Sequence, residues 1–258
     1  MKSSSLLLLD VRSEKEYAEG HIPGAINVNW QSFSNVNGKA GDKGLVVILP
    51  PQEIAKKLAA IGVDNTKNII IYADNKSGSG EDGSFLWMLR MYKIANSKIL
   101  DGGFSFWQAK GLEISKDLTS AQPSSFTLSS FDERYIVDTN WVKKHKSTVK
   151  LIDARDTLEY TGAATMGEVR MGHIPGAINL SFKSVFNSDG TIKSQSELDS
   201  MFSSLGLKKE DTIVTYCTSG VRSAHLAMVL MLSGYNNVKN YNESFGTWAA
   251  DSSLTVEK

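Results

Sequence analysis

The eight residues GHIPGAIN occur at Gly20–Asn27 and again, unchanged, at Gly172–Asn179. Chance does not place the same octapeptide twice in a chain of 258 residues. Working outward, LLDVRSEKEY (Leu8–Tyr17) parallels LIDARDTLEY (Leu151–Tyr160), and NIIIYAD (Asn68–Asp74) parallels TIVTYCT (Thr212–Thr218). LDGGFSFW (Leu100–Trp107) lies where the second copy has YNESFGTW (Tyr241–Trp248). An offset of about 145 residues is too long for a solenoid repeat. The pattern is that of one domain duplicated.

Each copy alternates short apolar runs with helical stretches. VKLIDAR and DTIVTYC read as strands, whereas SQSELDSMFSSLG and RSAHLAMVLMLSG space their apolar residues at helical intervals. The two helices run into Gly206 and Gly234, which suit the residue just past a helix end. Strands alternating with helices predict an α/β fold, each copy a mainly parallel sheet flanked by helices. The Ser/Thr-rich stretch from Ser115 marks a linker. The expected division is a first domain over 1–114, a linker over 115–133 and a second domain over 134–258. The second copy carries an additional helix-like segment, TNWVKKHK, before its first strand.

Bulk properties narrow the partners. The chain has 28 Lys+Arg against 28 Asp+Glu, so no basic excess points to nucleic acid. No run approaches the roughly 20 apolar residues of a membrane span. A single cysteine excludes an internal disulfide and any multi-cysteine zinc site. The start, MKSSSLLLLDVR, is too short in apolar residues for a signal segment and reads as a first strand. That abrupt start leaves the compartment open between cytoplasm and, if a presequence has been removed, periplasm. A duplicated chain can do as a monomer what other families do as a dimer.

The one thiol, Cys217, closes an apolar strand and opens the loop Thr218-Ser219-Gly220-Val221, which feeds a helix near Arg222. Ligands of parallel α/β sheets bind beyond the carboxyl ends of the strands. Backbone N–H groups of such a loop can converge on one anionic atom, and a neighbouring arginine favours thiolate. Ser219 and Ser223 can add hydroxyl donors. A lone cysteine is usually a small buried hydrophobe. Here strand end, loop glycine, arginine and helix start together favour a nucleophile.

The two GHIPGA segments, the D-x-R…E-Y strand ends and the loop CTSGVRS resemble the rhodanese (sulfurtransferase) superfamily in its tandem-domain form, over nearly the whole chain. The resemblance implies that Cys217 attacks the outer sulfur of a donor, holds it as a persulfide among the N–H groups of residues 218–223, and passes it to cyanide or a thiol. It implies no cofactor and no metal. The partners are then a small sulfur donor and its acceptor. It also implies a silent first copy: Ala73 and Asp74 follow the matching strand, with the longer loop NKSGSGEDGS and no thiol. That copy is expected to help wall the pocket.

Rival chemistries are weighed on the same residues. Cysteine phosphatases of the resembling fold need Cys-x5-Arg, and Cys217 to Arg222 is Cys-x4-Arg, a smaller ring suited to one sulfur atom. A sulfur carrier without turnover is the other rival. Mercaptopyruvate enzymes carry a CGSGVT-type loop and an arginine near the position of Glu159. A carboxylate beside an anionic substrate is unfavourable, so thiosulfate is the expected donor, with Arg222 at the rim and Arg170 as a further candidate contact for the substrate anion. Asp10 and Asp153 are expected to hold turn N–H groups, and Arg12 and Arg155 to pair with Glu16 and Glu159. His21, His173 and His225 read as structural. Gly24 and Gly176 suit unusual φ, and Phe245 and Trp248 read as core, with an apolar lip as the alternative.

Overall fold

The computed structural model describes residues 6–35, 47–128 and 130–258, so the first five residues of the abrupt start lie outside it. Among the described residues, 6–34, 48–132 and 186–192 form one compact unit, and the rest, chiefly 133–185 and 193–258, form a second.

In the first unit the strands run Ile26–Asn27, Leu6–Asp10, Asn68–Tyr72, Ser97–Ile99 across the sheet, all parallel. Leu9, Ile69 and Ile71 are fully buried. A parallel sheet covered on both faces selects such continuous apolar runs. The helices are α1 (Glu14–Glu19), α2 (Pro51–Ala60), α3 (Glu81–Met91) and α4 (Gly103–Ala109).

The second unit repeats this order and adds a strand. Its sheet runs Ile136–Val137, Val238–Tyr241, Ile213–Tyr216, Lys150–Asp153, Ile178–Asn179, again all parallel. The duplication holds to the register: Asp10 faces Asn27, and Asp153 faces Asn179. Around the sheet lie α5 (Thr139–His145), α6 (Thr157–Tyr160), α7 (Gln195–Ser204), α8 (Val221–Leu232) and α9 (Ser244–Ala250). The additional segment TNWVKKHK is α5, begun by Asp138, whose side chain accepts the N–H of Trp141. Helix α7 starts with the capping box of Ser194 and Glu197. Helices α7 and α8 end as expected at Gly206 (φ +70°) and Gly234 (φ +87°).

The strand-end aspartates act as anticipated, but the arginine partners differ. Asp153 Oδ1 accepts the backbone N–H of Arg155 at 3.0 Å, and Asp10 Oδ1 that of Arg12 at 3.0 Å. The Arg155 guanidinium then doubles back onto Asp153 (Nη2–Oδ2 2.6 Å) and donates to the Gly172 carbonyl at 2.7 Å. Arg12 does the same with Asp10 and Gly20. Neither arginine takes the expected glutamate: Glu16 closes the cap of α1 with Ser13, and Glu159 turns elsewhere. The motif histidines are structural in geometry. His21 and His173 stack on Tyr17 and Tyr160 at 3.7 Å, each with Nδ1 2.9 Å from that tyrosine's carbonyl.

Candidate active site

Strand Ile213–Tyr216 is the middle strand of its sheet, and Cys217 is the first residue past its carboxyl end. The chain there must turn from strand into α8 within four residues. Gly220 makes the turn with φ +90°. A Cβ at that position would lie 2.5 Å from the Asn242 carbonyl oxygen, so the turn requires glycine. Two amides at the start of α9 fix the loop from behind: Phe245 N–H donates to the Cys217 carbonyl and Gly246 N–H to that of Thr218. Asn240, on the neighbouring strand, donates to the Gly220 carbonyl at 3.0 Å and accepts from Ser223 Oγ at 2.7 Å.

The loop is thereby aimed at the sulfur. Gly220 N–H lies 3.1 Å from Cys217 Sγ, and Ser223 Oγ lies 3.5 Å from it. Cys217 is buried, 1% exposed. Burial alone pushes a thiol up. The Arg222 charge and the hydrogen bonding from Ser223 and from the Ser219 N–H outweigh it, and hold Cys217 below the ordinary thiol range. Ser219 contributes through its backbone N–H, and Val221, buried, opens the helix.

Three contributors escaped the sequence reading. Ser244 accepts the Cys217 N–H at 3.1 Å while holding φ +58°, where the first copy has Gly103 at φ +61°. Asn240 is the second. The third is Glu168, in a stretch of eleven residues between Tyr160 and Gly172 where the first copy has two between Tyr17 and Gly20. That insertion was the available signal. Glu168 accepts the Thr218 hydroxyl at 2.7 Å. Burial raises its carboxyl, but hydrogen bonds from Thr218, Thr165 and backbone N–H groups hold it below the usual carboxylate range.

Arg222 is not a free cation at the rim. It forms a two-point pair with Glu159, Nη1–Oε2 2.6 Å and Nη2–Oε1 2.8 Å, and donates to Thr218 Oγ1 at 2.9 Å. Arg170 sits apart from these bonds. Its guanidinium donates to the carbonyls of Trp248, Ala249, Asp251 and Leu254, gathering the end of α9. His225 is buried against Phe182, and Phe245 and Trp248 are buried in the core.

A family model described as a rhodanese-like domain matches the chain twice, over residues 1–110 and 138–251. The chain belongs to the rhodanese family. It is 31% identical over 245 residues to the sulfur carrier protein TtuD of Thermus thermophilus, covering 90% of this chain and 83% of that one. It is 31% identical over 246 residues to a Mycobacterium tuberculosis protein named "Putative thiosulfate sulfurtransferase" (92% and 85% covered). It is 29% identical over 247 residues to the 3-mercaptopyruvate sulfurtransferase of Escherichia coli (94% and 85%). Among solved structures, the anaerobic ergothioneine biosynthesis enzyme from Chlorobium limicola superposes with a TM-score of 0.87 at 19% identity. This rhodanese chain is covered completely and spans 65% of that chain, a likeness of fold.

Proposed function

We propose that this rhodanese transfers a sulfane sulfur through a persulfide on Cys217, with thiosulfate as donor and cyanide or a thiol as acceptor. In the first step the thiolate forms a bond to the outer sulfur of thiosulfate. The bond from that sulfur to the sulfonate sulfur breaks, its electron pair leaving with sulfite. Cys217 then carries S–S⁻, and the total charge is conserved. In the second step the acceptor nucleophile takes the outer sulfur and the Cys217 thiolate returns. No oxidant or reductant enters, and this is covalent catalysis in two displacements.

The observation that carries the reading is the Gly220 N–H at 3.1 Å from Sγ, in a loop that lowers the thiol's pKa. Preorganised N–H donors favour the anion at both stages. Residue 159 bears on the choice of donor: it is a glutamate, so it supplies no cation to pair with the carboxylate of a donor such as 3-mercaptopyruvate, and the mycobacterial relative carries the thiosulfate name. Arg222 counts for less in that choice than its position suggests, because Glu159 already takes two of its N–H groups. In the first copy Ala73 occupies the place of the thiol, and we assign it no sulfur transfer.

A second reading, a carrier that accepts one sulfur and yields it only to a protein partner, is favoured by the deep burial of Cys217 and by the Thermus relative's name. Steady-state kinetics separate the two. Thiocyanate formation from thiosulfate and cyanide should give parallel double-reciprocal lines. Turnover with 3-mercaptopyruvate alone would replace the donor, and single loading without turnover would favour the carrier.

A further inference from the structure

The first copy supplies a control for Glu159. Glu16 stands at the equivalent position, closes a capping box with Ser13 and remains partly exposed. Glu159 closes the same kind of box with Asp156, yet is buried to 5% exposure. A cap therefore does not require burial here. What differs is Arg222, present only beside the cysteine and held by both Glu159 oxygens.

The surrounding groups fix this arrangement. Thr218 Oγ1 accepts from Arg222 and donates to Glu168, so the hydroxyl links the arginine to a second buried carboxylate. Arg155, 3.8 Å from Glu168, is already committed to Asp153. The loop's own cation is thus already paired, and an anion arriving at Cys217 competes with Glu159 for it.

We propose that Glu159 is a specificity-determining residue of this site: by holding Arg222 in a two-point pair it discriminates against sulfur donors in proportion to their negative charge. The inference rests on the sulfur-transfer reading above, but its test reads binding. Thiosulfate, a dianion, and methanethiosulfonate, a monoanion with the same terminal sulfur, are titrated calorimetrically into Cys217→Ser and into Cys217→Ser/Glu159→Gln. Glutamine at the third helical position preserves the cap while removing the charge. Thiosulfate should tighten by about tenfold, the scale of a charged hydrogen-bonded contact, and methanethiosulfonate by less than about threefold. Glu159→Ala in the same background provides a second reading of the ratio. An unchanged ratio, no measurable tightening, or weaker thiosulfate binding would overturn the proposal. Sulfur loading of the parent protein is measured separately, so a failure of turnover is not confused with a failure of discrimination.

Discussion

The amide of Gly220 lies 3.1 Å from the sulfur of Cys217, and only a glycine holds it there. Gly220→Ala meets two penalties, a φ of +90° and a 2.5 Å approach to the Asn242 carbonyl oxygen. Gly176 has a similar φ of +79° with open space around it. Urea denaturation should show Gly176→Ala losing about 1–2 kcal/mol. Gly220→Ala should lose more, about 2–4 kcal/mol, together with sulfur transfer. Equal losses would mean that the loop yields without cost.

The thiolate balance gives a pH prediction. With burial opposed by Arg222, Ser223 and loop N–H groups, Cys217 should ionise at lower pH than an ordinary cysteine thiol. Because the folded value is depressed, the thiolate persists to lower pH than in the unfolded chain. Arg222→Met removes the largest lowering contribution and should move the midpoint upward. Ultraviolet thiolate absorbance against a Cys217→Ser baseline reads both midpoints. A variant midpoint at or below that of the parent would remove Arg222 from the account.

Ser244 combines backbone strain with two hydrogen bonds, accepting from Cys217 N–H and donating to the Tyr241 carbonyl at 2.8 Å. Ser244→Ala keeps the strain and loses both bonds, so it should destabilise by about 1–3 kcal/mol. Ser244→Gly relieves the strain and should stay within about 1 kcal/mol of the parent. Both variants should slow sulfur transfer, since both leave the Cys217 N–H without its acceptor. Thermal unfolding gives the order, and the reverse order would show that φ +58° carries no strain here.

Beneath the site, Arg155 and Asp153 are a buried pair, with side chains 1% and 0% exposed. Asp153→Ala removes the close two-point partner of the buried guanidinium, leaving Glu168 at 3.8 Å, and should cost about 3–5 kcal/mol. A loss below about 1 kcal/mol in denaturant unfolding would mean that Glu168, the Gly172 carbonyl and the face of Phe245, 4.0 Å away, suffice for the cation.

Much of this was legible in one dimension. GHIPGAIN gave the duplication, the Tyr-Cys junction gave the strand end, and Gly206 and Gly234 gave the helix stops. What failed to show depended on long-range partners. Arg155 and Glu159 are four residues apart and suggested a helical pair. The fold instead folds Arg155 back on Asp153 and brings Arg222, 63 positions away, onto Glu159. Ser244 aligns with Gly103, and nothing in that alignment reveals that its hydroxyl accepts the Cys217 N–H. Arg170 offered a charge beside a motif, and only the path of the carboxyl-terminal segment reveals the four carbonyls that take it.

The central claim is that sulfur resides on Cys217. The most direct measurement is the intact mass of the protein after incubation with excess thiosulfate and desalting, beside the Cys217→Ser variant treated identically. The account predicts a gain of one sulfur atom in the parent, lost on adding cyanide as thiocyanate forms, and no gain in the variant. A parent that takes up no sulfur from thiosulfate, or a variant that takes up as much, would contradict it.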